Sequence, residues 1–219
     1  MAIKPILFNT EMVRAIMDGR KSCTRRLVKP QPDEKHTFQL GFVTDSTEKK
    51  EVGCFGFGID EYSGSIQYVK PPYQPGDILY VRETWERFEC WNCEGDERGN
   101  CPKELKKSVL YKTCGCYMYR ATDEISRDAK WKPSIHMPKE AARIWLKVTN
   151  VRVERLQDMT DDDAEAEGCF DYTSTALGFP DVWDSTIKKS DLDSYGWNAN
   201  PWVWVIEFER CEPQEGQNV

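Results

Sequence analysis

Gly19-Arg20-Lys21-Ser22-Cys23-Thr24-Arg25-Arg26, read as GRKSCTRR, places four cations, two hydroxyls and a thiol within eight residues. The stretch follows a short amphipathic segment in which Asn9 or Thr10 is suited to cap a helix, Glu11 to sit in its first turn, and Met12, Val13, Ile16 and Met17 to form one apolar face. Gly19 is then the natural left-handed stop. Lys21 and Thr24, three residues apart, are close enough in a turn or irregular strand for the amine to meet the hydroxyl. Neighbouring Arg20, Arg25 and Arg26 would favour a neutral Lys21 able to act as a base toward Thr24. The plainer alternative is a solvated or phosphate-contacting surface with no chemistry.

Outward from this stretch, Lys4 to Phe8 reads as a first strand, and Lys29 onward as loops and short strands rich in Pro and Gly up to Pro75. The turn Gln74-Pro75-Gly76-Asp77 leads into Ile78-Leu79-Tyr80-Val81-Arg82-Glu83-Thr84-Trp85, a buried strand. Two prolines hold an extended loop around His136 in Trp131-Lys132-Pro133-Ser134-Ile135-His136-Met137-Pro138. Ala141 to Leu156 reads as one or two strands, with Ile144, Leu146 and Val148 on one side and the alternation continued by Val151 and Val153. Thr160 caps a short acidic helix through Asp161, Asp162 and Asp163; Glu167 lies in its last turn and Gly168 stops it. Cys169 to Tyr195 lacks periodicity. Pro201 to Arg210, PWVWVIEFER, is a strand half buried or better, with Trp202 and Trp204 read as packing.

The 219 residues suffice for a proper core, and the formal charge of −7 argues against a general nucleic-acid coat. Charge is uneven: residues 1–30 carry seven Lys or Arg against two acids, whereas residues 158–171 carry seven acids and no base, a pairing that suits a polar cleft. No run of about 18 apolar residues and no signal-peptide pattern is present, so no membrane partner and a cytoplasmic location are expected. Of nine cysteines, Cys90, Cys93, Cys101, Cys114 and Cys116 cluster with a spacing that favours a structural zinc site over disulfides. Cys101 and either Cys114 or Cys116 would complete the set begun by Cys90 and Cys93, and the metal would order an insertion poor in apolar residues.

The order of elements predicts a mainly β (α+β) fold, a barrel with short helices at its rim, because nothing gives the regular strand-helix alternation of a parallel sheet. GRKSCTRR after a short helix, QPGDILYVRETW and the closing WVWVIEFER resemble the ASCH domain, a branch of the PUA-like barrels. WKPSIHMP and VERLQDMTDDDAEAEG resemble the longer ASCH-type proteins encoded by bacteriophages and prophages. The resemblance covers residues 3–30, 74–88 and 117–211, giving one domain over residues 1–211 with insertions at about 31–73, 89–116 and 169–196, and a disordered tail at 212–219. It implies binding of RNA or a modified nucleoside. In the small bacterial members that hydrolyse N4-acetylcytidine, a Lys, a Thr three residues later and a distant Glu form the catalytic group. Those roles fall on Lys21, Thr24 and Glu167, or Glu165 if the alignment slips. Arg20, Arg25, Arg26, Arg82, Glu83 and His136 are candidate ligand contacts, His136 being read primarily as structural. The alternative is a non-catalytic RNA- or nucleotide-binding module.

Overall fold

The computed structural model describes residues 1–62, 64–89, 115–124, 130–169 and 175–213. In chain order the elements are β1 (Ile3–Leu7), α1 (Thr10–Met17), β2 (Cys23–Leu27), β3 (Phe38–Phe42), β4 (Phe55–Gly58), β5 (Ile66–Val69), β6 (Ile78–Arg82), β7 (Trp85–Glu89) and β8 (Gly115–Tyr119). There follow β9 (Trp145–Arg155), α2 (Asp161–Ala166), α3 (Thr175–Thr186), α4 (Leu192–Tyr195) and β10 (Trp202–Cys211). No described helix is long and apolar enough to cross a membrane.

The main sheet runs β1-β6-β9-β10-β2, with β1 parallel to β6 and every other pair antiparallel. At its centre β10 is covered on both faces: Trp202, Trp204, Ile206 and Phe208 enter the principal core, while Val203 packs with Leu156, Phe179 and Trp183. Burying bulky groups on both faces explains why this strand reads as an almost unbroken apolar run. In β9 the core residues change parity, from Leu146 and Val148 to Val151 and Val153. The change is a β-bulge: Glu207 pairs with Asn150 but Phe208 with Val148, so the expected even alternation is interrupted at Thr149.

The expected closed barrel does not form among the described residues, whose strands make three separate sheets. β1 and β2 are the open edges, and the step between them is bridged by a side chain, Arg26 Nη2 donating to the Leu7 carbonyl at 3.1 Å. The linking helix α1 fills this end of the core with Val13 and Ile16.

The segment expected as the first insertion contributes to the same core. Strands β3-β4-β5 form a small antiparallel sheet whose Phe55, Phe57 and Val69 pack into it. The 169–196 region, expected without periodicity, contains α3 and α4, and Phe179 and Trp183 of α3 cover Val203. Gly178 and Pro180 within α3 explain why its helical signal is weak in the sequence. At the Gly76 turn (φ +87°), Asp77 accepts hydrogen bonds from Ala2 N, Lys4 Nζ and Gln74 N, which anchor β1 beside β6.

Candidate functional site

Asn9 caps α1, its side chain accepting from Met12 N, and Gly19 at φ +75° turns the chain back so that Arg20 N and Lys21 N both donate to Ala15 O. Lys21 is thereby held at the entry to β2, where the backbone of Ser22 joins two neighbours: Ser22 N donates to Ala166 O and Phe208 N to Ser22 O. The second half of the site arrives on α2. Thr160 caps it with a reciprocal capping box to Asp163, Glu167 is its C-terminal cap, and Gly168 at φ +86° ends it. A Cβ at Gly168 would lie 2.8 Å from Ala15 Cβ and 3.2 Å from Lys21 Cβ, so both the backbone conformation and the close approach of α2 require glycine.

These two termini bring together residues 146 apart in sequence. Lys21 Nζ donates to Glu167 Oε2 at 2.6 Å and to the Glu167 carbonyl at 2.7 Å. The pair is enclosed, with side-chain exposures of 0% and 5%. The ring of Phe8 lies 5.5 Å from Lys21 Nζ and 5.5 Å from Arg26 Cζ. Glu165, the alternative acid, is exposed. Thr24 is buried in β2 opposite Ile206, on the core side of the strand, whereas Cys23 and Arg25 alternate to the other side.

The cations of GRKSCTRR therefore do not form the solvated surface of the plainer reading. Lys21 and Arg25 are buried, and Arg20 pairs with Asp18 at 2.9 Å. Arg25 is tied to three carboxylates: Glu154 (2.6 Å), Asp163 (3.2 Å) and, more loosely, Glu167 (3.5 Å). Arg152 extends this network to Glu154, Asp163 and Glu207. Arg26 differs, donating to the carbonyls of Arg25 and Leu7; burial lowers its pKa, partly offset by Glu167 and Tyr73. Burial, reinforced by Glu167, pushes the Cys23 thiol up to about 12, so it stays a protonated, inert group. Burial works to raise Asp163, but hydrogen bonds from Thr160 and the charges of Arg25 and Arg152 outweigh it and hold this carboxyl below its usual range.

A cleft of about 240 Å³ opens beside the ion network, lined by Ser22, Cys23, Thr149, Arg152, Asp163, Ala166, Glu207 and Phe208. Thr149, the bulge residue, is part of its wall.

The remaining candidates lie apart from this cluster. Arg82 Nε donates to the Met137 carbonyl at 2.7 Å, and Glu83 forms a two-pronged pair with Arg143, Oε1 and Oε2 each 2.9 Å from the guanidinium. Arg143 in turn stacks 4.0 Å from the centre of the Tyr119 ring, so Arg82 and Glu83 serve packing between β6 and the loop that precedes β9. His136 is exposed in a single 3-10 turn, and it is its neighbour Met137 that is buried. Cys90, Cys93, Cys101 and Cys114 lie outside the described residues, and only the backbone of Cys116, in β8, is described. Among the described residues no group of three or more His, Cys, Asp or Glu side chains could hold a metal.

Sequence reading singled out Lys21, Thr24 and Glu167 as candidates, of which the structure joins Lys21 to Glu167, but it did not find the partners that hold Arg25. Glu154 and Arg152 sit on the strand face that alternates with Val151 and Val153, a position that reads as solvent. Phe8 reads only as the end of the first strand, with nothing that marks it as a neighbour of Lys21. Comparisons with protein-family models, with curated proteins and with solved structures return no match to this chain.

Proposed function

We propose that this chain is a PUA-like domain of the ASCH type that binds a modified cytosine nucleoside beside the Lys21–Glu167 pair and hydrolyses its N4-acyl amide. The observation that carries the reading is the enclosed 2.6 Å contact between Lys21 and Glu167, 146 positions apart. Burying such a pair costs several kcal/mol of desolvation, and a structural ion pair of this kind stabilises little over apolar packing. Chemistry is a better reason to keep it.

In this mechanism the proton shared across the Lys21–Glu167 contact passes to Glu167 when substrate is bound, and the freed amine of Lys21 takes the proton from Thr24 Oγ1, whose oxygen attacks the acyl carbon. Glu167 orients Lys21 and donates to the leaving amine. Attack by a water that Lys21 activates is the equivalent route without an acyl-enzyme. Of the two arginines that follow, Arg26 is suited to the developing oxyanion, because Arg25 is already held by Glu154 and Asp163.

The alternative, an RNA-binding module with Arg20, Arg25 and Arg26 on phosphates, has less support. Two of those three cations are occupied by carboxylates, and a phosphate backbone would approach against Asp163, Glu154 and Glu207. A zinc ion bound by Cys90, Cys93, Cys101 and Cys114 or Cys116 is proposed as a structural staple only.

The test is incubation with a panel of N4-acylated cytidines and cytosines, followed by mass spectrometry, with Lys21→Ala and the milder Thr24→Val alongside. Loss of the acyl group with wild type and not with either variant is expected. No turnover across the panel, together with salt-sensitive RNA binding that falls on Arg26→Ala, would overturn the hydrolase reading in favour of the binding module.

A further inference from the structure

A second group of chemistry-bearing side chains sits beside the small β3-β4-β5 sheet. Asp33 opens a turn in which Lys35 N and His36 N each donate to Asp33 Oδ1 at 3.0 Å. The same carboxylate oxygen lies 2.7 Å from His36 Nδ1, and on the opposite side of the ring His36 Nε2 lies 3.0 Å from Ser65 Oγ. With its proton on Nδ1, directed to Asp33, the imidazole leaves Nε2 to accept from the serine hydroxyl. Hydrogen bonds from the His36 side chain and backbone hold the Asp33 carboxyl below its usual range.

The sheet is what brings the three together. Phe38, two residues after His36, and Ile66, next to Ser65, both pair with Gly58 of β4, which sets the ends of β3 and β5 on either side of one central strand. Gln67 tightens the junction, its Oε1 accepting from Asp33 N at 3.1 Å and its Nε2 donating to Gln31 O at 3.3 Å. The imidazole is largely covered, at 13% side-chain exposure, and is therefore fixed in orientation, while Ser65 is open to solvent. Beside it Phe38 and Ile66 are 42% and 37% exposed, an apolar ledge opposite a strand position without a side chain.

We propose that Ser65, His36 and Asp33 form a second catalytic group, separate from the Lys21 site, which cleaves small carboxylic esters carrying an apolar acyl chain. The roles follow from the two hydrogen bonds. Ser65 Oγ attacks the acyl carbon as His36 Nε2 takes its proton, and Asp33 stabilises the resulting imidazolium. The ester C–O bond breaks, the alcohol leaves with the proton returned from His36, and the acyl group remains on Ser65. Water then gives a proton to His36 and attacks the acyl carbon; the carboxylic acid departs and the proton returns to Ser65 Oγ. The acyl chain rests against Phe38 and Ile66. Asp33, with 60% of its side chain exposed, is screened by water, so the group is a slow catalyst compared with a buried triad.

The experiment combines a fluorophosphonate probe with p-nitrophenyl butyrate hydrolysis, using the full chain and the variants Ser65→Ala, His36→Ala and Asp33→Asn. The expected result is phosphonylation of Ser65, located by peptide mass mapping and lost in His36→Ala, with hydrolysis falling at least about tenfold in Ser65→Ala and His36→Ala and by less in Asp33→Asn. Circular dichroism of each variant checks that the fold is retained. An unlabelled Ser65, labelling that persists at the same rate in His36→Ala, or hydrolysis unchanged in Ser65→Ala would each overturn the proposal, and the three residues would then be a hydrogen-bonded clasp between β3 and β5.

Discussion

Replacing Glu167 with alanine removes one member of a pair whose side chains are 0% and 5% exposed, leaving the Lys21 ammonium with a single acceptor, the Glu167 carbonyl at 2.7 Å. Breaking a buried ion pair from one side costs about 3–5 kcal/mol, because the surviving charge stays desolvated without its partner. Two features place this site at the lower end. The carbonyl contact survives, and Arg25 keeps Glu154 and Asp163 when it loses the looser 3.5 Å approach to Glu167. A loss of about 3 kcal/mol is therefore expected, which for a chain of this length lowers the melting temperature by about 6–12 °C. Urea unfolding followed by far-ultraviolet circular dichroism measures it directly. The double variant Lys21→Met/Glu167→Leu removes both charges at once and should recover to within about 1 kcal/mol of wild type. A Glu167→Ala loss below about 1 kcal/mol, or a double variant no more stable than the single, would refute the claim that the pair is an enclosed, mutually dependent unit.

Gly168→Ala forces a Cβ to within 2.8 Å of Ala15 and 3.2 Å of Lys21 at a backbone φ of +86°. The left-handed conformation costs about 1–2 kcal/mol and the overlap adds to it, so denaturant unfolding should show a loss of about 3 kcal/mol, with Lys21 displaced and turnover reduced. Asp163 has a folded pKa below its unfolded value of about 3.9, so its contribution to stability is complete above that value and is lost as pH falls through the lower folded value. Unfolding measured from pH 5 to pH 2 should therefore show a steeper acid loss for wild type than for Asp163→Asn. Elemental analysis of protein purified without chelator should find one zinc per chain, lost in Cys93→Ser; a content near zero would exclude the staple.

Much of the site was legible before any tertiary contact was considered. The capped helix, the left-handed Gly19 and the spacing of Lys21 and Thr24 are local, as are the Thr160 cap and the Gly168 stop, since each depends on a few consecutive residues and the backbone angles they permit. An unbroken apolar run also carried β6, and alternation carried β10 and the two halves of β9. It failed at Thr149, where a single extra residue inverts the parity of β9 while leaving the composition of the strand unchanged. It failed again at α3, where Gly178 and Pro180 oppose a helix that packing of Phe179 and Trp183 on Val203 stabilises.

Charge was where local reading misled most. Four cations in eight residues suggest a surface that waits for an anion, yet Arg25 meets Glu154 across 129 positions and Lys21 meets Glu167 across 146. Nothing within GRKSCTRR encodes those acids. The sequence by itself determined where α1 and α2 begin and end and that the segments of β6 and β10 are strands. Only the tertiary structure decided that, among the described residues, the sheet stays open between β1 and β2, that Glu167 and not Glu165 reaches the lysine, and that Arg25 is neutralised by carboxylates while Arg26 donates to backbone carbonyls. The physical reason is range: caps, turns and alternation act over a few bonds, whereas the partner of a buried charge is whatever the fold carries to within about 3 Å of it.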